Sequence, residues 1–214
     1  MIITVNSEKM YDISMPIEEG MKVYKGKKEK KPHIKVFSDM KTGTSFESLI
    51  TMNLHTGTHI DSPLHMIEGG CDLETLPLTS LFTVCKVLDF TQCIDSIGKE
   101  DLESRDIKRG DFIVLKTKNS FTDILEGNYI YLNKTGASYL AEKKIKGVGI
   151  DALGIERAQN GHETHLALMN KGVLIIEGLC LSHVPEGTYA LSAFPLHIKG
   201  VEASPIRAVL IELA

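Results

Sequence analysis

Leu54-His55-Thr56-Gly57-Thr58-His59-Ile60-Asp61-Ser62-Pro63-Leu64-His65 is the stretch on which the reading of this chain turns. It sets three histidines and a carboxylate in the pattern His-x-x-x-His-x-Asp-x-x-x-His. On a helix, His55 and His59 would share one face, as residues four apart do. The intervening residues argue against that. Thr56, Gly57 and Thr58 are poor helix formers, and Pro63 blocks any continuation. A tight, irregular turn after a strand fits better. Gly57 then allows close backbone approach, and the side chains of His59 and Asp61 can converge from one side.

Strand-forming segments flank this turn on both sides. Residues 10–17 read as an early strand ending near Pro16, and residues 46–54 as a strand leading into the histidines. Further strands are expected at 81–90, 111–117 and 129–132, which are rich in β-branched and aromatic residues. The period then changes. Residues 135–144 hold helix formers, with Tyr139, Leu140 and Ala141 able to form one apolar patch. A short strand follows at 147–151, then a helix at 161–171 closed by Gly172 in the position of a left-handed stop. Strands at 173–181, 188–198 and 207–213 complete the pattern, with Pro205 just before the last, where a missing N–H matters least. The basic run Lys25-Gly-Lys-Lys-Glu-Lys-Lys31 reads as a solvated loop. The count predicts a single α/β domain over residues 1–214, with more strand than helix.

Composition narrows the class. At 214 residues, 43% hydrophobic and 24% charged, the chain can bury a sizeable core. A net charge of -4 gives no electrostatic reason to expect nucleic acid or an anionic membrane as partner. The first residues lack the features of a signal peptide, and no segment has the roughly 20 apolar residues of a membrane span. Cys71, Cys85, Cys93 and Cys180 form no C-x-x-C pair and read as free thiols in a reducing compartment. A cytoplasmic protein is expected.

Neutral imidazole and carboxylate are the ligand types that suit zinc, manganese or iron. Four such groups in one short stretch point to a metal centre, with Asp61 as ligand or bridge. Two further candidates lie downstream. His162 and His165 sit three apart on the expected helix; His162 reads as a solvent-facing helix-start residue, while His165 is open as a ligand. Glu177 is a lone carboxylate in a nearly all-apolar strand. Buried, it must be protonated, paired or metal-bound; at a strand end loosened by Gly178 it would reach solvent.

The signature, together with Leu76-Pro-Leu, Gly149-Ile-Asp151, the His165-to-Glu177 spacing, Ile176-Glu177-Gly-Leu, Val184-Pro-Glu-Gly-Thr-Tyr and the closing Ala203-Ser-Pro-Ile-Arg-Ala-Val-Leu, resembles the cyclase family of metal-dependent hydrolases. The resemblance runs through most of the chain. It implies a compact α/β fold around a central, mixed, barrel-like β-sheet with a few flanking helices. It implies His55, His59, Asp61, His165 and Glu177 as ligands of one or two divalent ions, zinc first and manganese second, with His65 as the acid/base. It also implies a homodimer or homotetramer in which neighbouring protomers help cover the active site. Family members cleave aryl formamides of the N-formylkynurenine type or open cyclic amides. The aryl formamide is the first expectation here, with a cyclic amide as the alternative.

Other chemistries lack their motifs: the chain has no G-x-S-x-G, no P-loop and no proper dinucleotide fingerprint. The non-enzymatic rival is a metal-binding or regulatory protein. His65 separates the two, because a ligand-only protein has no need of it. Thr58 reads as a turn-stabilising hydroxyl in preference to an oxyanion donor. An aryl substrate needs apolar walls. The chain has no Trp, and Phe37, Phe46 and Phe194 are the wall candidates. His183 and His197 read as ordinary surface or packing histidines.

Overall fold

The structure is a computed structural model that describes residues 2–122 and 127–214. In chain order the strands are β1 (Val5–Asp12), β2 (His33–Ser38), β3 (Glu47–Thr51), β4 (His59–Asp61), β5 (Phe82–Asp89), β6 (Ser96–Ile97), β7 (Phe112–Lys116), β8 (Tyr131–Leu132), β9 (Gly147–Ile150), β10 (Leu174–Glu177), β11 (Gly187–Ser192), β12 (Ala203–Pro205) and β13 (Val209–Leu213). The helices are α1 (Lys99–Glu103), α2 (Lys134–Glu142) and α3 (Glu163–Met169).

Among the described residues, nine strands form the main sheet in the order β1-β13-β11-β5-β7-β9-β10-β4-β12. Its centre, β5-β7-β9-β10, is parallel, and both flanks are antiparallel. The parallel strands need crossovers, which carry the helices. Just past β1, Ser14 bridges Leu179, which follows β10. Cys180 N–H donates to Ile13 O at 2.9 Å, and Ile13 N–H to Ala208 O at 3.0 Å. These bonds draw one edge of the sheet toward the far side and curl it into a barrel-like half-shell, the mixed α/β architecture expected.

Side-chain alternation divides the core between the two faces. Phe112 and Val114 of β7, Leu174 and Ile176 of β10 and Ile60 of β4 pack in one cluster, with Leu191 and Leu210. Ile113, Leu115 and Ile175 point the other way, toward Leu102, Ala137, Leu140 and Leu168 of the helices. The same alternation places Glu177 on the helix side with Ile175. His59 and Asp61, flanking Ile60, lie on that side too. The metal candidates therefore share the face covered by α3.

Several sequence boundaries shift. The strand expected at 10–17 is β1, Val5–Asp12; its polar, exposed edge hides it from a search for apolar runs. The strand expected at 46–54 is β3. It pairs with β2 in a hairpin whose residues are nearly all exposed, and it stays outside the main sheet. The strand expected at 188–198 stops at Ser192. Pro205 lies inside the edge strand β12, where the ladder tolerates a missing donor, and β13 begins only at Val209. Helix α1 was not anticipated. It is five residues long, with Asp101 Oδ2 accepting from Gly98 N–H at 2.8 Å.

Asn133 caps α2, its side chain accepting from Thr135 and Gly136 N–H. Gly172 adopts φ +70 after α3, the stop read from the sequence. No helix among the described residues is long and apolar enough to cross a membrane.

Candidate metal centre

His55 sits in an irregular turn, as its neighbours demand. His59 and Asp61 lie two apart on β4, and His65 ends a single 3-10 turn begun by Pro63. The turn is held from outside. Thr58 Oγ1 donates to Gly178 O and accepts from Met15 N–H at 2.8 Å, the stabilising role read for this hydroxyl. Gly178, at φ +72, packs so tightly on Gly57 that a Cβ there would collide with Gly57 O. This close approach seats the histidine turn against the end of β10.

The five expected ligands converge. Across the antiparallel pair, Glu177 stands directly opposite His59, with Oε2 3.3 Å from Nε2. His59 Nδ1 is 2.9 Å from Gly57 O, which fixes the ring and leaves Nε2 facing inward. Asp61 Oδ1 lies 3.0 Å from His55 Nδ1 and 3.5 Å from His59 Nε2. From α3, His165 Nε2 reaches Glu177 Oε1 at 3.3 Å and Asp61 Oδ2 at 3.9 Å. Ligand atoms of His59, Asp61 and Glu177 lie within 4.8 Å of one another, as do those of His55, Asp61 and His65. Asp61 is common to both groups.

Charge is concentrated here under nearly complete burial. Asp61 and Glu177 are 2% and 5% exposed. Asp61 accepts no hydrogen bond of good geometry at either oxygen, and His59 Nε2 is likewise unsatisfied. Such groups cost several kcal/mol if left unpaired in a protein interior. A divalent cation resolves that cost, and three imidazoles with two carboxylates are a donor set that one or two such ions accept. The residues present fit the group that the sequence implies.

The protonation states follow from the same geometry. Burial favours the neutral form of His59, but Asp61 and Glu177 outweigh it and raise His59 to about 9. For His165, burial is again overcome, by Glu156, Glu177 and Asp61, which lift it to about 10. Burial would raise Glu177, yet His165 and His59 hold it well below the usual carboxylate range. His65 behaves differently. Burial, aided by His55 and His165 and opposed by Asp61 and Glu177, lowers it to about 4. Its ring centroid lies 4.1 Å from that of His55 and 5.8 Å from that of His165. A neutral imidazole beside the centre can accept a proton.

Two carboxylates that the sequence did not flag stand beside the histidines. Glu156 Oε1 lies 3.2 Å from His165 Nδ1, while Oε2 accepts from Thr164 and His165 N–H at the start of α3. His162 is more than half exposed at the helix start, as expected, but its Nδ1 contacts Glu156 Oε1 at 2.6 Å. Glu202 Oε1 lies 3.2 Å from His55 Nε2. Asp151, of the Gly149-Ile-Asp151 motif, is not at the centre. It accepts from the N–H and hydroxyl of both Thr117 and Ser120, and burial pushes it up to about 6.

A cavity of about 140 Å³ opens beside His55, His65, His165 and Glu177, with Tyr24, Lys30 and Met66 on its walls. The expected aromatic walls lie elsewhere. Phe37 and Phe46 are exposed on or beside the β2–β3 hairpin, and Phe194 stacks on Phe82 at 6.4 Å. Tyr24 is the aromatic side chain at the cavity. His183 and His197 are exposed and distant from it. The four cysteines are unpaired.

Comparison with known proteins identifies the family. Kynurenine formamidase of Bacillus cereus is 30% identical over 206 residues, 94% of this chain and 86% of that protein. A solved predicted metal-dependent hydrolase from Bacillus stearothermophilus is 51% identical, superposes with a TM-score of 0.88 and is covered over 98% of its length by 95% of this chain. Isatin hydrolase A from Labrenzia aggregata, at 20% identity, shares the fold with a TM-score of 0.82 over 96% of this chain and 94% of its own. The family model described as Putative cyclase matches residues 11–157, a span that contains the whole histidine signature, and the chain belongs to that family.

Proposed function

We propose that this protein is a metal-dependent amidohydrolase that cleaves an amide C–N bond with activated water, and that its substrate is an aryl formamide of the N-formylkynurenine type. One observation carries the reading. Asp61 is a fully buried carboxylate without a hydrogen-bond donor, set between three histidines and a second carboxylate beside a cavity. Similarity over nearly the whole chain to kynurenine formamidase supports the amide and the formyl group. His55, His59, Asp61, His165 and Glu177 would hold one or two divalent ions, zinc by preference and manganese as the alternative.

A bound divalent ion would supply Lewis acidity toward the carbonyl oxygen and lower the pKa of water. The chain's own groups do the rest. His65, kept neutral by burial, takes a proton from the attacking water at a ring nitrogen and returns it to the leaving nitrogen. Glu156 and Glu202 keep His165 and His55 in orientation. Tyr24, Met66 and Leu153 give the cavity apolar surface for an aryl group. We further assign the protein to the cytoplasm as a homo-oligomer, a placement that the unpaired cysteines support.

Elemental analysis of protein purified without added metal or a histidine tag, beside Asp61→Ala, tests the site. Zinc or manganese present in the wild type and lost in the variant, with hydrolysis of N-formylkynurenine by the loaded wild type, is the expected result. Protein that neither carries nor binds these ions sinks the mechanism.

A further inference from the structure

The basic run at 25–31 is more than a solvated loop. Its first part folds into two 3-10 turns, Tyr24–Gly26 and Lys28–Lys30, and Thr56 Oγ1 of the histidine signature donates to Lys30 O at 2.6 Å. That bond fixes Lys30 relative to the metal turn. While Lys25, Lys27 and Lys28 are exposed, Lys30 is partly buried and lines the cavity with His55, His65 and Glu177.

Its ammonium makes no ion pair or hydrogen bond among the described residues. It lies 5.6 Å from the ring centroid of Tyr24, another cavity wall. Asp61 and Glu177 are near enough to be felt, and so are Glu29 and the repelling Lys27, but none reaches ion-pair distance. Burial, aided by Lys27 and opposed by Glu177, Asp61 and Glu29, pushes Lys30 below its ordinary value, as befits a cation partly deprived of water without an ion-pair partner. Histidines stand closer to both acids of the centre than Lys30 does. Asp61 has His55 and His59 beside it, and Glu177 has His59, His165 and the N–H of Ile155 at 2.6 Å.

We propose that Lys30 is a specificity residue that binds a carboxylate carried by the substrate, so that the enzyme prefers anionic aryl amides to neutral ones. The proposal rests on the amidohydrolase reading and narrows its substrate class. A half-buried ammonium at the wall of a small cavity with Tyr24, Met66 and Leu153 beside it rewards a carboxylate that enters with an aryl group, because the pair forms with little water between. A neutral cyclic amide would leave it with nothing to bind before ring opening.

The test compares ortho- and para-formamidobenzoate with neutral formanilide on metal-loaded wild type, Lys30→Met and Lys30→Arg. Wild type should favour a carboxylated substrate. Lys30→Met should lower the ratio of kcat/KM, carboxylated over neutral, by about ten-fold or more, chiefly through KM, and Lys30→Arg should restore most of it. A ratio altered by less than about two-fold, with both substrates affected alike, overturns the proposal and leaves the hydrolase reading standing.

Failure of wild type on every amide tried counts against the hydrolase reading. Lys30 is then judged by binding alone, in a fluorescence titration with ortho-aminobenzoate and ortho-aminobenzamide. Preference for the carboxylate that Lys30→Met abolishes upholds the assignment, and equal binding of the two overturns it.

Discussion

Glu177 faces His59 directly across the β4–β10 pair, so a strand register sets the distance between two of the proposed ligands. Glu177→Gln keeps shape and register but removes the charge. We expect it to fold, to keep the hydrogen bond from Ile155 N–H at the remaining oxygen, and to lose most of its bound metal. Elemental analysis after dialysis reads this directly. Full metal content in the variant would remove Glu177 from the ligand set.

In the metal-free protein His59 and His165 hold protons up to about 9 and about 10. A cation must displace them, so filling the site near neutral pH should release about two protons in all, and apparent affinity should climb as pH rises toward that range. Calorimetry in buffers of different ionisation enthalpy measures the release. Folding stability of the metal-free form moves the opposite way. Both histidines are raised above 6.5, so their contribution is complete below that pH and fades as pH rises through about 9 and about 10. Glu177 is lowered from 4.5, so its contribution is present above that pH and lost in acid. Metal-free melting temperatures should fall between neutral pH and pH 10. A flat profile would contradict the assigned charges.

His65→Ala separates an enzyme from a metal-binding protein. If His65 is the acid/base, the variant should lose about 100- to 10,000-fold in kcat and retain its metal. Because ligand atoms of His65, His55 and Asp61 lie within 4.8 Å of one another, the measurement has force. Loss of metal with the imidazole would make His65 a ligand, and full turnover would end its catalytic role.

Glu156, 3.2 Å from His165 Nδ1, is proposed to act through that histidine. Glu156→Gln should weaken metal affinity by about 10- to 100-fold, as the loss of a carboxylate partner to a ligating histidine generally does. Glu156→Ala should do the same and also loosen α3, whose first N–H groups Glu156 accepts. Competition with a chelator, alongside a thermal melt, distinguishes orientation from helix capping. Gln matching wild type in affinity would assign Glu156 to the helix alone.

Gly178→Ala probes the seat of the turn. Its left-handed φ costs a residue with a side chain about 1–2 kcal/mol, and the collision with Gly57 O adds to that. For a chain of this size about 1 kcal/mol lowers Tm by roughly 2–4 °C, so a drop of at least several degrees is expected. An unchanged melt would mean that the turn yields freely.

The most legible parts were those where local chemistry and tertiary role coincide. Pro63 and Gly57 forbade a helix, and β4 answers that exclusion. The apolar runs of β7 and β10 are buried on both faces and so read plainly, and β5 alternates buried residues with half-buried ones. Glu177 stood out because nothing around it is polar. The hairpin β2–β3 was half missed because its residues are nearly all exposed on both faces, leaving no alternation to detect. Glu156 and Glu202 were invisible for another reason. Each meets its histidine through the fold, and nothing in the neighbouring sequence marks a carboxylate that will turn inward. Lys30 was hidden by its company, since one lysine among several looks like solvent until a turn folds it against a cavity.

The proposed ligands come from β4 and the turn before it, from α3 and from the end of β10, segments widely separated along the chain. An ion held among them closes long loops, and that entropy has already been spent by the time the sheet is assembled. Loading must therefore follow folding, and unfolding must either expel the ion or wait for it to leave. An ion held there would act as a clasp on the edge of the sheet, and the supply of metal would then set how long the chain survives as well as how fast it works.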